Sequence, residues 1–241
     1  MSESDRLLIQ VLRLSAQLRL STQQLQEDDD EALHRLRIVL RSLDALLLLL
    51  PKAISEGLRL HMRTCARVSG VLRDYQVLAA QLPSSSGGQR FDLAQATVWL
   101  QQSGLLQQLQ AQLEVWPQQF LMAEGKALRC HLAQSRKRQW QALSEALVDD
   151  SADWHRLRLL IKKVRYSAEL LPGSRPLRTH QLRELRRLQG LLGDWHDRQR
   201  WLELTQGMTT LQPLQQRWQA ELVQLNMRLP AALQRLIRRL R

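Results

Sequence analysis

Leucine residues recur along the chain at intervals of three and four, the spacing that places apolar side chains on one face of an α-helix. Leucine supplies 53 of the 241 residues and glutamine 30, whereas valine, isoleucine and aromatic residues are few. This choice of residues favours helix over strand. We therefore predict an all-α protein, with helices at about 5–25, 31–50, 52–71, 73–82, 92–114, 117–148, 153–171, 176–192, 195–206 and 211–240.

Polar and proline-containing segments mark the ends of several predicted helices. Pro51 separates the second helix from the third, Asp149 to Asp153 precede the seventh, and Pro172-Gly173 follow it. Residues 83–90, which begin Pro-Ser-Ser-Ser-Gly-Gly, have the composition of a flexible linker.

The chain contains an internal repeat. Leu-His-Arg-Leu-Arg-Ile at 33–38 recurs as Trp-His-Arg-Leu-Arg-Leu at 154–159, an offset of 121 residues. A second block, Gly-Val-Leu-Arg-Asp at 70–74, corresponds to Gly-Asp-Trp-His-Asp at 193–197, an offset of 123. We therefore predict a duplicated helical unit of about 120 residues, with halves at 5–148 and 152–241 related by a pseudo-two-fold axis.

The protein is strongly basic, with a formal net charge of +12 and an isoelectric point near 11.0. Residues 1–150 contribute +1 of this charge and residues 151–241 contribute +11. Such an excess favours an anionic partner, which could be nucleic acid, an anionic membrane or a phosphate polymer.

Other features limit the function classes. Cys65 and Cys130 lie far apart, so the sequence indicates neither a disulfide framework nor a thiolate metal site. The apolar stretch at 43–50 is too short to span a membrane, and the N-terminus lacks a basic leader. We expect a soluble cytoplasmic protein without membrane insertion. Phosphate-binding glycine loops, nucleophile elbows and His-Glu-x-x-His motifs are absent, so we expect neither an enzyme nor a cofactor.

Basic residues form a stripe beside the apolar face in both copies of the first repeated block. His34, Arg37 and Arg41 span an arc of roughly 60° on their helix. In the second copy the corresponding stripe spans roughly 80° and consists of His155, Arg158, Lys162 and Arg165, flanked by Lys163 and Tyr166. Arginine offers phosphate a planar set of donors, lysine a mobile charge, and histidine a donor that becomes cationic near neutral pH. A solvated basic face is the alternative interpretation.

The second repeated block admits two interpretations. Asp194, His196 and Asp197 could be metal ligands. A helix that starts after Gly193, with Asp194 as its cap and Asp197 in its first turn, explains the two aspartates better, and we predict no metal site. The same role for Asp74 would leave Arg73 and His196 to face an anion.

The two His-x-x-Arg helices, each followed by a Gly-x-x-(Arg/His)-Asp block, resemble the CHAD family, the conserved histidine α-helical domain. The resemblance covers roughly residues 5–240, so 1–241 would form a single CHAD domain. It implies two four-helix bundles that pack around a central basic pore and bind inorganic polyphosphate without catalysis, with some members recruited to polyphosphate granules. By motif, the binding positions are His34, Arg37, Arg41, Arg73, His155, Arg158, Lys162, Lys163, Arg165 and His196.

Ser42 and Asp44 depart from the family pattern, since further basic residues usually stand at these positions. The departure weakens the expected contribution of the first half. The alternative function is a basic helical nucleic-acid-binding protein, because DNA and RNA are also phosphate polyanions. Polyphosphate is favoured because basic residues on inner helices suit a thin chain, whereas a duplex needs an exposed recognition surface.

Overall fold

A computed structural model describes residues 2–26, 31–82, 93–149, 153–172 and 177–240. Within these ranges the protein is all α-helical, as predicted. The helices are α1 (Glu3–Gln26), α2 (Ala32–Leu47), α3 (Lys52–Ala79), α4 (Leu93–Gln102), α5 (Leu105–Met122), α6 (Lys126–Val148), α7 (Trp154–Leu170), α8 (Thr179–Leu204) and α9 (Gln212–Leu240), with a 3-10 turn at Thr209–Leu211. The predicted linker at 83–90 lies outside the described residues.

Two helices continue where the sequence predicted breaks, one at residue 72, just after Gly70, and one at Gly193. Helix α3 passes through Gly70, and α8 passes through Gly193. Asp194 and Asp74 therefore lie inside helices, and their predicted roles as caps are wrong. A glycine inside a helix costs about 1 kcal/mol relative to alanine, and burial of Leu72 and of neighbouring apolar residues in α8 offsets this cost.

The region between residues 92 and 148 also differs from the prediction. The expected helix at 92–114 is divided at Gly104, whose φ of 72° lies in the left-handed region that glycine adopts without strain. The next helix, α5, then continues through Pro117, the predicted start of a new helix. Both Trp116 and Phe120 are fully buried beside that proline, so tertiary packing holds the helix together there.

The described chain forms two compact units. Unit 1 consists of residues 1–136 and 169–171, and unit 2 of residues 137–168 and 172–241. The division falls inside α6, between Arg136 and Lys137, whereas the sequence predicted a boundary between residues 148 and 152.

Unit 1 has a leucine-rich core to which six helices contribute. Helix α1 packs against α2, α2 against α3, and α3 against α5, while α4 fills the space beside α1, α3 and α5. The start of α6 adds Leu128 and Leu132 to this core. The indole N–H of Trp116 donates to the Ile54 carbonyl at 2.7 Å, which joins α5 to the first turn of α3.

Unit 2 is built from the end of α6 together with α7, α8 and α9, which share one apolar core. The strongest packing is that of α8 against α9. The Trp195 indole donates to the side-chain oxygen of Asn226 at 3.0 Å, and Arg198 pairs with Glu221 at 2.9 Å across the same helix pair. The Asp153 carboxylate accepts the Arg156 N–H at 2.9 Å and caps α7, at an end the sequence predicted.

Helices of similar length recur in the same order along the chain. Helices α1 and α6 have 24 and 23 residues, α2 and α7 have 16 and 17, and α3 and α8 have 28 and 26. The repeated His-x-x-Arg block therefore lies on α2 and α7, and the second block lies on α3 and α8. In the described part of the chain no helix is long and apolar enough to cross a membrane.

Candidate phosphate-binding site

Unit 1 gathers four of the predicted binding residues on one helix pair, and we call them the first cluster: His34, Arg37 and Arg41 on α2 and Arg73 on α3. The apolar stripe of α2, which includes Leu36, Leu40 and Leu43, is buried in the core of unit 1. The cationic residues lie beside this stripe and are half-buried. Packing of α2 on α3 thus brings basic groups from separate parts of the chain together.

Arg37 lies directly against the backbone of α3. Its Nη1 donates to the Ala66 carbonyl at 3.2 Å. A Cβ atom added to Gly70 would lie only 2.9 Å from that Nη1. Gly70 therefore allows the guanidinium to approach the α3 backbone closely, and a side chain at this position would displace the end of the Arg37 side chain.

Arg73 faces His34 from the neighbouring helix. Burial lowers the pKa of His34 below its ordinary value, and the positive charges of Arg73, Arg41 and Arg37 lower it further, whereas Glu31 opposes the shift. The Arg73 Nη1 donates to the side-chain oxygen of Gln76 at 2.7 Å. The first cluster thus places three arginines close to a histidine whose cationic form they disfavour.

Unit 2 gathers the corresponding residues on α7 and α8. We define the second cluster as His155, Arg158 and Lys162 on α7 with His196 and Arg200 on α8. The rings of His155 and His196 lie with their centroids 5.6 Å apart and their planes inclined by 50°. His155 is exposed, whereas His196 is half-buried, so only one ring of the pair is open to solvent.

The second cluster is also strongly cationic. Burial, together with the charges of Arg158, His155, Lys162 and Arg200, lowers the pKa of His196 to about 4. Every charged group that contributes to this shift is basic. His196 is consequently neutral at pH 7, and an anion bound among these residues would relieve their repulsion.

Two predicted residues occupy different surroundings on α7. The Arg165 Nε donates to the side-chain oxygen of Gln189 on α8 at 2.7 Å, and its guanidinium carbon lies 4.2 Å from the ring centroid of Tyr166. Lys163 is exposed. Neither Arg165 nor Lys163 is among the charges that lower the pKa of His196. Their predicted contact with a ligand stays a prediction.

The sequence analysis missed Arg200 and did not foresee the surroundings of two histidines. Arg200 follows His196 by four residues, one helical turn, which is the signal that would have identified it. Histidine was expected to become cationic near neutral pH. In the protein without ligand, burial and adjacent cations lower the pKa of His196 to about 4, so His196 does not become cationic near neutral pH, and they lower the pKa of His34 as well.

Oxygen and thiolate ligands for a metal are not assembled in the described ranges, where no group of three or more His, Cys, Asp or Glu side chains could hold a metal ion. Asp194 and Arg198, one helical turn apart on α8, approach to 3.8 Å. The arginine, lysine and histidine donors of the two clusters can bind phosphate oxygens.

Comparison with known proteins identifies the family. The model of the CHAD domain matches residues 10–206, most of the chain. The chain belongs to the CHAD family. Both repeated blocks, and therefore both clusters, lie within the matched residues, whereas α9 lies beyond them. A search among curated proteins finds no significant match.

Two solved structures are similar to this CHAD protein. The crystal structure of the CHAD domain from the plant Ricinus communis superposes with a TM-score of 0.73 at 21% identity, covering 100% of this chain and 92% of that chain. PptA from Streptomyces chartreusis superposes with a TM-score of 0.59 at 17% identity, covering 96% and 99%. At these identities the similarity shows a shared fold.

Proposed function

We propose that this CHAD protein binds inorganic polyphosphate, without catalysis, through the first and second clusters. The observation that carries the proposal is the recurrence of one cationic arrangement in both units. In each unit, a His-x-x-Arg helix places its basic side chains beside a basic residue of the following long helix. A solvated charged face gives no reason for this convergence of like charges on half-buried positions, whereas a phosphate ligand does.

The composition of the clusters fits a phosphate polymer. Guanidinium groups donate to phosphate oxygens in a planar geometry, and each charge-assisted hydrogen bond contributes about 1.5–3 kcal/mol. A linear polyphosphate repeats the same anionic group along its length, so successive phosphates can meet successive cations of a helical stripe. One orthophosphate would occupy only part of a cluster.

Burial favours a thin polymer over a duplex. Most cationic residues of both clusters are half-buried, and only His155 is exposed. A DNA duplex presents its phosphates on the outside of a wide cylinder and is read by exposed helices. A single chain of phosphates can approach half-buried donors more closely. The central pore that the family resemblance implies stays a prediction, and so does recruitment to polyphosphate granules.

A competition experiment tests the proposal. Labelled long-chain polyphosphate is bound to the protein at one salt concentration and displaced with unlabelled polyphosphate, orthophosphate, duplex DNA or RNA, compared per phosphate. We expect polyphosphate to displace the label at concentrations where the other competitors do not. Incubation should leave the polyphosphate chain length unchanged and release no orthophosphate.

Two results would contradict the proposal. If DNA or RNA competes as well per phosphate as polyphosphate does, the protein is a nucleic-acid-binding protein instead. If orthophosphate accumulates in proportion to the protein added, and not with a variant in which His155, Arg158 and Lys162 are glutamine, the protein is a hydrolase.

A further inference from the structure

Gln76 holds the one arginine that α3 contributes to the first cluster. The Arg73 Nη1 donates to the Gln76 side-chain oxygen at 2.7 Å, one turn further along the helix. Both side chains are half-buried. Among the charged neighbours that shift the pKa of His34, Arg73 has the largest effect. The position of this guanidinium therefore affects the charge that His34 experiences.

The chemical nature of the acceptor matters. A carboxylate in place of the amide would also hold the guanidinium and would form a stronger, charge-assisted bond, but its charge would cancel that of Arg73. A neutral amide fixes the direction of the side chain and leaves its positive charge available. Holding a long flexible side chain in place before binding also reduces the entropy lost when a ligand is bound.

The same residue type recurs at related places in unit 2. Gln199 follows His196 by three residues, as Gln76 follows Arg73, so the second repeated block extends to this position. On the α7–α8 pair, the Gln189 oxygen accepts from the Arg165 Nε at 2.7 Å. Gln76 and Gln189 thus each accept a hydrogen bond from an arginine at a predicted binding position.

We propose that Gln76 is a positioning residue for polyphosphate binding, which orients Arg73 towards the ligand without neutralising it. This inference rests on the proposed function of the first cluster. Polyphosphate affinity should then depend on two separable properties of residue 76, which are its ability to accept a hydrogen bond and its lack of charge.

Two substitutions separate these properties. Gln76→Met keeps the length of the side chain and removes the acceptor, whereas Gln76→Glu keeps the acceptor and adds a negative charge. Gln118→Glu is the matched control, because it adds the same charge at an exposed position of α5. Long-chain polyphosphate affinity is measured over a range of salt concentrations, and the pKa of His34 is measured by NMR without ligand.

We expect Gln76→Met to bind about three- to fivefold more weakly with an unchanged salt slope, because no charge is lost. Gln76→Glu should bind about tenfold more weakly with a slope shallower by about one, because Arg73 is neutralised. The His34 pKa should rise in both variants, since Arg73 repels its cationic form less. Gln118→Glu should match the parent protein in His34 pKa and closely in affinity.

The outcomes distinguish this inference from the proposed function. If the parent protein binds no polyphosphate, the proposed function fails. If the parent binds but both Gln76 variants bind equally well and leave the His34 pKa unchanged, the positioning role is wrong while the proposed function stands. If Gln76→Glu binds as tightly as the parent while Gln76→Met binds weakly, the neutrality of the amide has no importance and that part of the inference is overturned.

Discussion

The two clusters share their histidine and arginine spacing but differ in the residues around it. In unit 2, α7 continues its basic stripe with Lys163 and Arg165. At the matching positions of α2 the chain has Ser42, which is buried, and Asp44, which pairs with Arg59 at 3.5 Å. The repeat has thus kept one cationic pattern in both units, while the additional charge has accumulated in the second.

A second difference concerns the residue that the long helix supplies. Arg73 of α3 keeps its charge at any physiological pH, whereas His196 of α8 is neutral unless an anion stabilises its protonated form. We infer that the long helix supplies the first cluster with a fixed charge, whereas in the second cluster it supplies a group that can gain charge during binding.

The largest expected effect comes from neutralising the stripes separately. Replacing Arg158, Lys162 and Arg165 by glutamine should weaken polyphosphate binding by at least about 100-fold, because two or three charge-assisted bonds are lost. Replacing Arg37 and Arg41 should weaken it by about tenfold, since Arg37 already donates to the Ala66 carbonyl. Glutamine preserves helix propensity, so circular dichroism should show little change.

A charge-matched variant controls this comparison. Arg235, Arg238 and Arg239 are exposed on α9, beyond the residues that match the family. Their replacement by glutamine removes three charges and should weaken binding only slightly. We call the Arg37 and Arg41 replacement the α2 variant and the Arg158, Lys162 and Arg165 replacement the α7 variant. The larger contribution of the second cluster is contradicted if the α2 variant is the weaker binder, or if the α7 variant binds like the parent while both remain folded.

A smaller effect is expected from pH. Bound phosphate favours the protonated histidine, so it raises the pKa values of His34 and His196 from their lowered values in the free protein. Binding then takes up protons, and affinity should increase about three- to tenfold as the pH falls from about 8 to about 5. Calorimetric titration in two buffers of different ionisation enthalpy measures this uptake.

Histidine variants show which unit takes up protons when polyphosphate binds. His196→Gln should remove most of the pH dependence that comes from unit 2, and His34→Gln should remove that from unit 1. An unchanged pH dependence in the double variant would show that neither histidine contacts the ligand. His155 is exposed, and His155→Gln should change the uptake less than His196→Gln does.

The smallest expected effect is a difference in stability between alanine substitutions at Gly70 and at Gly193, the two glycines of the repeated block. Nothing lies within 4 Å of a Cβ placed on Gly193, whereas one on Gly70 would meet Arg37. Gly193→Ala should raise the free energy of unfolding by about 0.5–1 kcal/mol through helix propensity. Gly70→Ala should gain less, because it displaces Arg37 from the Ala66 carbonyl, and should weaken polyphosphate binding about twofold.

Urea unfolding and binding titrations of the two alanine variants check this prediction. Equal stabilisation by both substitutions, with unchanged binding, would mean that Arg37 relaxes around the new methyl group and that its fixed position is unimportant.

Local sequence patterns predicted the helical scaffold better than its interruptions. The apolar stripes located α2 and α7 closely, and Asp153 correctly marked the start of α7. Gly193 was misleading because a glycine signals a helix end only when the surrounding chain cannot be packed as helix. Gly104 ends a helix and Gly193 does not, and this difference depends on burial of neighbouring side chains in three dimensions.

The internal repeat predicted the part of the candidate site that its two copies share. The repeat indicated that Arg73 and His196 occupy equivalent positions near the basic helices. Other contacts depend on side-chain conformation and helix register. They are the hydrogen bonds from Arg73 to Gln76 and from Arg165 to Gln189, the ring contact of His155 with His196, and the close approach of Arg37 to Gly70. Composition and spacing contain no information on these distances.

The central claim, that the cations of both clusters contact the polyphosphate chain, is tested most directly by the salt dependence of binding. The logarithm of the affinity for long-chain polyphosphate is measured against the logarithm of the salt concentration for the parent, the α2 variant and the α7 variant. The account predicts a steep negative slope for the parent, shallower by about one for each neutralised residue that contacts phosphate, and most reduced in the α7 variant. Slopes identical to that of the parent in both folded variants would contradict it.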